Sequence, residues 1–152
     1  MDRYFRTEEG DLVNSVEHTL DQINKWSNLK IFIGTDSQNF SSVTRYVTTI
    51  VYRYGNRGAH YIYFKEEVPK IKSEYLRLYE EGVRTIQIYE MLTSEIPVSV
   101  EALEFDYADV KKTLSSKLVQ DFKGWVVGLN QVAVFKSGQM IATKAADHIC
   151  RR

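Results

Sequence analysis

The stretch IFIGTDSQ at residues 31–38 decides the fold. Ile31, Phe32 and Ile33 describe a strand aimed at a core, yet it runs straight into Gly34-Thr35-Asp36-Ser37. Aspartate is an ordinary turn residue at a strand end. Asp36 is therefore either punctuation or chemistry, and the flanking elements have to decide which. The first strand is read as residues 30–36. Upstream, Thr7 reads as an N-cap with Glu8 and Glu9 in the first turn. Val13, Val16, Leu20, Ile23 and Trp26 then recur at three- and four-residue steps, which predicts an amphipathic helix over 8–26.

Downstream, VTRYVTTIVYRY (43–54) is β-branched and aromatic and predicts a second strand. The segment GNRG (55–58) makes a turn, and AHYIYF (59–64) a third strand. Links this short imply an antiparallel meander. Pro69 suits the first turn of a helix, and Ile71, Tyr75, Leu78, Tyr79, Gly82, Val83, Ile86 and Tyr89 mark one face of a helix over 69–94. VSVEALEFDY (98–107) reads as strand four. A helix over 110–128 capped by Asp109, a fifth strand over 131–135 and a last helix over 140–150 complete the chain. The order α-βββ-α-β-α-β-α predicts an α/β fold with a mixed sheet covered by helices on both faces. One domain is expected over 1–152, with 1–29 as a helical lead-in.

Composition limits the function. The 152 residues are 43% apolar and 26% charged, which suits a soluble globular chain. No apolar run approaches the ~20 residues of a membrane span, and MDRYFRTEEG is too polar for a signal peptide. Cytoplasmic is the expected location. The lone Cys150 cannot form an internal disulfide. No GxxxxGK[ST] phosphate loop and no zinc-spaced His/Cys cluster occurs. Net charge is zero, but residues 111–152 carry eight Lys or Arg against Asp121 and Asp147. That basic third is either a phosphate-facing surface or a solvated helix face.

The carboxylates are the chemical signal. Strand one ends on Asp36 and strand four on Asp106, within EFDYAD. If the two strands lie side by side and parallel, both aspartates reach the sheet centre at similar height, where α/β sheets place ligands. Two close carboxylates do not both stay ionised without a cation. An all-oxygen donor set selects hard ions such as Mg²⁺ or Mn²⁺. On the long helix, Glu81 and Glu74 fall on the flank of the apolar stripe, and Glu80 opposite it. Asp147, inside TKAADHIC, lies away from the stripe of Ile141, Ala142, Ala145 and Ile149, so it faces either water or a cleft.

This constellation resembles the ribonuclease H fold. IGTDSQ (33–38), FDYADVKKTLSSKLVQDFKGWVVGLN (105–130) and FKSGQMIATKAADHIC (135–150) are similar to a bacterial and phage family of predicted RNase H-like nucleases. The resemblance covers the chain from about residue 30 onward. One departure is Lys136-Ser137, where many members are expected to carry Lys-Pro. The resemblance implies a five-stranded sheet of order 3-2-1-4-5, with strands one to three antiparallel and strands four and five parallel to strand one. It implies Asp36, Glu81, Asp106 and Asp147 as catalytic metal ligands, with Glu74 and Glu80 as alternatives to Glu81. It further implies two-metal phosphodiester hydrolysis: Asp36 bridging, Glu81 and Asp106 on the leaving-group side, and Asp147 on the attacking-water side.

Lys111, Lys112, Lys117, Lys136 and Lys144 are candidate phosphate contacts on RNA, DNA or a hybrid, and His148 a candidate proton carrier. The strand tyrosines at 46, 52, 54, 61 and 63 suit a pleated surface, unpaired bases, or pairing across a homo-oligomer. Two rival readings stand beside the nuclease. One is a non-catalytic nucleic-acid-binding or assembly protein; the other is an enzyme of this fold acting on a small nucleotide.

Overall fold

A computed structural model describes residues 4–107, 114–135 and 140–152. Its elements are β1 (Tyr4–Thr7), β2 (Leu12–Asn14), α1 (Ser15–Lys25), β3 (Leu29–Asn39), β4 (Val43–Tyr54), β5 (Ala59–Pro69), α2 (Glu74–Glu95), β6 (Ala102–Phe105), α3 (Leu114–Gly128), β7 (Ala133–Phe135) and α4 (Ala142–Cys150). The seven strands form one mixed sheet in the order β2-β1-β5-β4-β3-β6-β7. Strands β3, β4 and β5 make a long antiparallel meander, whereas β6 joins β3, and β7 joins β6, in parallel.

Strand count and order differ from the expected five because the N-terminus is not a helix from Thr7. Thr7 ends β1, and the chain turns back through Gly10, whose φ of 95° belongs to the left-handed region open to glycine. The Thr7 hydroxyl accepts from Asp11 N–H at 3.1 Å, so this residue closes a hairpin rather than capping a helix. The hairpin adds to the free edge of β5 through Arg6↔Tyr63. The helix starts seven residues later than expected, at Ser15, where the Asn14 side chain accepts from Val16 and Glu17 N–H. Val13 thus belongs to a strand, and Leu20 is 37% exposed; α1 docks through Thr19, whose hydroxyl bonds Tyr52 at 2.6 Å.

Pro69 also changes role. It ends β5 opposite Val43, and α2 begins only at Glu74, capped by Ser73. A proline lacks the N–H that a further ladder bond needs, so it suits a strand terminus as well as a helix start. Strand four is shorter than read, Ala102–Phe105. Asp109, proposed as a cap, lies outside the described residues.

Strand alternation divides the core between the two faces. Ile31 and Ile33 of β3, Ile50 and Tyr52 of β4, and Leu103 and Phe105 of β6 share one cluster with Ile86 and Leu92 of α2 and Leu118, Phe122 and Val126 of α3. The opposite face holds Phe32, Val47, Val51 and Ala102 against Ala142, Ala146 and Ile149 of α4. Helices therefore cover both faces.

Where α2 crosses α3, Gly82 provides the room. A Cβ there would lie 2.4 Å from Cζ of Phe122, a ring that also packs on Phe105, Tyr107 and Tyr79. Helix propensity alone favours alanine over glycine by ~1 kcal/mol, but overpacking a filled core costs ~1–3 kcal/mol. Gly82→Ala is therefore expected to destabilise the protein by up to about 2 kcal/mol in denaturant unfolding. A gain in stability would show that this helix contact is looser than described.

Candidate functional site

The site grows from the parallel seam between β3 and β6. Pairing runs Phe32↔Ala102, Ile33↔Leu103, Gly34↔Glu104 and then stops. Two residues beyond the last pair stand Asp36 and Asp106, which alternation places on the same face as Gly34 and Glu104. From there β3 continues along β4 alone, with Asp36 opposite Val47, while β6 ends at Phe105. Both aspartates are half-buried at this opening between the carboxyl ends of parallel strands, the position where such sheets hold ligands.

Asp147 arrives on the same face from α4, with its carboxyl in hydrogen-bonding reach of Asp36. Its outer side is exposed and accepts from Arg151 Nε at 2.9 Å. Glu81 comes from α2 on the other face and is buried. The Ser37 hydroxyl donates a short hydrogen bond to Glu81, and Arg77 Nη1 stands 2.7 Å from Ser37 Oγ and 3.8 Å from Glu81 Oε2. One residue beyond Glu81, Tyr107 is hooked into α2. Its hydroxyl donates to the Leu78 carbonyl and accepts from Gly82 N–H at 3.0 Å. The two bonds bridge the Leu78 carbonyl and the Gly82 N–H, one step of the i→i−4 ladder, and tie that turn of α2 to the segment just past β6. EFDY therefore supplies Asp106 and also secures the turn that carries Glu81.

Burial and crowding disturb the ionisation of this group. Asp36 is raised from its ordinary 3.8 to about 7, first by desolvation and then by Asp147, with Asp106 adding to it. Glu81 is raised well above the usual carboxylate range by complete burial and by Asp36, against the opposing pull of Ser37 and Arg77. Mutual repulsion in a half-dry opening is what a divalent cation relieves, and four carboxylates suit Mg²⁺ or Mn²⁺ in donor type. As they stand, among the described residues no three His, Cys, Asp or Glu side chains are gathered into a metal cage. Glu81 is turned toward Ser37 and Arg77, and Asp147 toward Arg151.

The other candidates are dispersed. Glu74 is exposed in the first turn of α2. Glu80 is not free in water: it pairs with Arg84 at 2.7 Å, and the same guanidinium holds Glu66 and covers the Tyr46 ring. Lys117 is exposed on α3 with its ammonium 5.4 Å from the Tyr75 ring, Lys144 is exposed on α4, and His148 is exposed beside Asp147. Lys111, Lys112 and Lys136 lie outside the described residues. The strand tyrosines serve mainly in packing, with Tyr46, Tyr52 and Tyr63 buried. Sequence reasoning missed Ser37, Arg77, Tyr107 and Glu104. For Glu104 there was a signal: a glutamate two residues before Asp106, in an otherwise apolar strand, must be buried on the same face.

The crowding predicts a pH signature in chelator. Protonated Asp36 is favoured by the fold, so its contribution to stability is complete below about 3.8 and lost as pH rises to about 7. The groups acting on it are Asp147, Asp106 and Glu81, of which Asp147 pairs with Arg151 on α4 and Glu81 with Arg77 on α2. Asp36→Asn is expected to melt several degrees above the wild type at pH 7, with the gap closing toward pH 4. A gap that does not change with pH would show that Asp36 is not crowded.

A family model described as Ribonuclease H-like matches residues 11–151. Comparison with curated proteins and with solved structures returns no match. With the match spanning nearly all of the chain, and the mixed sheet ending in its carboxylates, the chain belongs to the Ribonuclease H-like family.

Proposed function

We propose that this chain is a metal-dependent nuclease that hydrolyses phosphodiester bonds of RNA or DNA, with Asp36, Glu81, Asp106 and Asp147 as the ligands of Mg²⁺ or Mn²⁺. The observation that carries this reading is the convergence of Asp36 and Asp106 where β3 and β6 part, with Asp147 and Glu81 brought in from opposite faces. Bound ions of this kind lower the pKa of an attacking water and stabilise a leaving 3′ oxygen.

The protein's own part is to hold carboxylates that repel one another. Asp36 is fixed by a long strand paired with β4 along its whole length, which suits a central ligand. Ser37 and Arg77 keep Glu81 compensated while it is buried. Lys117 and Lys144, with Lys111 and Lys136, are proposed to meet the phosphates flanking the scissile bond. Each exposed lysine adds a salt-dependent contribution to binding.

A second reading is favoured by one observation. The pairing of Glu81 with Ser37 and Arg77, and of Asp147 with Arg151, satisfies both carboxylates without a cation. That suits a nucleic-acid-binding protein that keeps the fold and does not cut.

The two separate in one experiment with labelled single-stranded, duplex and hybrid RNA and DNA, given Mg²⁺, Mn²⁺ or chelator. The nuclease reading expects metal-dependent cutting that falls by roughly a hundredfold or more in a folded Asp36→Asn variant, since even outer-shell changes cost ~10–100-fold. Binding of equal strength in both proteins, indifferent to chelator and without products, supports the second reading instead.

A further inference from the structure

Outside the proposed ligands, Glu104 is a carboxylate only 1% exposed, on β6 between β3 and the edge strand β7. It lies two residues before Asp106 and on the same face. Its Oε1 accepts from Ile141 N–H at 2.9 Å, Ala142 N–H at 2.7 Å and Thr143 N–H at 3.1 Å, and its Oε2 from Ile141 N–H at 3.0 Å. These are the free amides at the start of α4. Ile141, at the cap position of that helix, offers no side-chain hydrogen bond of its own. Glu104 therefore supplies from a neighbouring strand what an Asp or Ser N-cap supplies locally, and places a carboxylate at the positive end of the helix dipole.

The same helix is gripped elsewhere. The Thr49 hydroxyl of β4 donates to the Ala142 carbonyl at 2.7 Å. Gly34 of β3 lets the first turn lie directly on the sheet, since a Cβ there would be 2.9 Å from Thr143 Cγ2. At the far end, Arg45 Nη1 donates to the carbonyls of Cys150 at 3.0 Å and Arg152 at 2.9 Å. An anion at the N-terminus and a cation at the C-terminus both oppose the dipole and set the axial position of the helix. The residue of α4 that meets Asp36 is Asp147, just past the middle of the helix.

We infer that Glu104 is a positioning residue that acts through α4 to hold Asp147 against Asp36 and Asp106. A single strand, β6, then sets two of the proposed ligands: Asp106 directly, and Asp147 through the amides of residues 141–143. This inference rests on the nuclease reading, because a fixed Asp147 matters only if it is a ligand. A merely structural Glu104 would contribute to stability and leave metal affinity alone.

The test uses the full chain and Mn²⁺ alone as probe, in wild type, Glu104→Gln, Asp147→Asn and the double variant, read by calorimetry and by amide hydrogen exchange. Glutamine keeps one acceptor but loses the charge and turns an N–H₂ toward the helix amides. The expected result is faster exchange at residues 141–147 with β3–β5 still protected. Mn²⁺ affinity should be weakened about tenfold or more by Glu104→Gln, with little further loss when Glu104→Gln is added to Asp147→Asn. Unchanged Mn²⁺ affinity in folded Glu104→Gln overturns the positioning role alone. If the wild type neither binds Mn²⁺ nor cuts nucleic acid, the nuclease reading falls and the positioning role falls with it. If Glu104→Gln does not fold, Thr49→Val loosens the same turn from β4. Faster exchange in α4 with unchanged Mn²⁺ affinity in that variant also overturns the proposal.

Discussion

Three residue pairs of parallel sheet, Phe32 to Gly34 against Ala102 to Glu104, and the release of that pairing immediately afterwards, set the geometry on which the rest of the site depends. While the strands are paired, alternation sorts their side chains, with Ile33 and Leu103 toward α2 and α3, and Gly34 and Glu104 toward α4. Once they part, the next residues on the α4 side, Asp36 and Asp106, line an opening with no strand between them. A slip of one residue in this seam would turn Asp106 into the apolar cluster and expose Phe105, an exchange that burial strongly resists. The hydrophobic pattern thus protects the polar one.

Asp36 lies within repulsive range of Asp147, Asp106 and Glu81, and the structure shows how that is tolerated. Asp36 and Glu81 are shifted toward the neutral form. Glu81 has a hydroxyl and a guanidinium, and Asp147 has Arg151 at its solvent side. Buried carboxylates need such partners, because an unpaired buried charge is among the most costly groups in a fold. Arrangements of this kind recur at sites where a ligand supplies the missing charge. Tyr107 and Glu104 serve the same end by a different route: each holds a helix to β6 by its backbone, so the ligand candidates on α2 and α4 are referred to one strand.

The N-terminal hairpin shows how a correct periodicity gave a wrong element. Val13, Val16, Leu20, Ile23 and Trp26 do recur at helical spacing, but the stretch from Thr7 to Asn14 is drawn into pairing by the open edge of β5. Gly10 at a positive φ was the local clue, since a glycine inside a helix is unfavourable and a glycine in a tight turn is not. At Pro69 the same ambiguity arose, and the length of β4 resolved it: β4 pairs with β5 as far as Val43↔Pro69.

Local sequence was enough to determine the alternation of strands and helices from residue 29 onward and the two faces of the sheet. Those features follow from period-2 and period-3.6 burial, which each segment carries in itself. The local pattern ended strand one at Asp36, whereas β3 runs on to Asn39 because β4 pairs with it throughout, and Asp106 lies just past the end of β6. Only the tertiary structure decided which carboxylates stand near one another. Glu81 is buried beside Ser37 and Arg77 while Glu74 is exposed and Glu80 pairs with Arg84, and Asp147 stands within reach of Asp36 on one side and of Arg151 on the other. The contacts of Ser37 with Glu81 and of Asp36 with Asp147 join residues tens of positions apart, and their geometry depends on how whole elements pack. No local pattern encodes it.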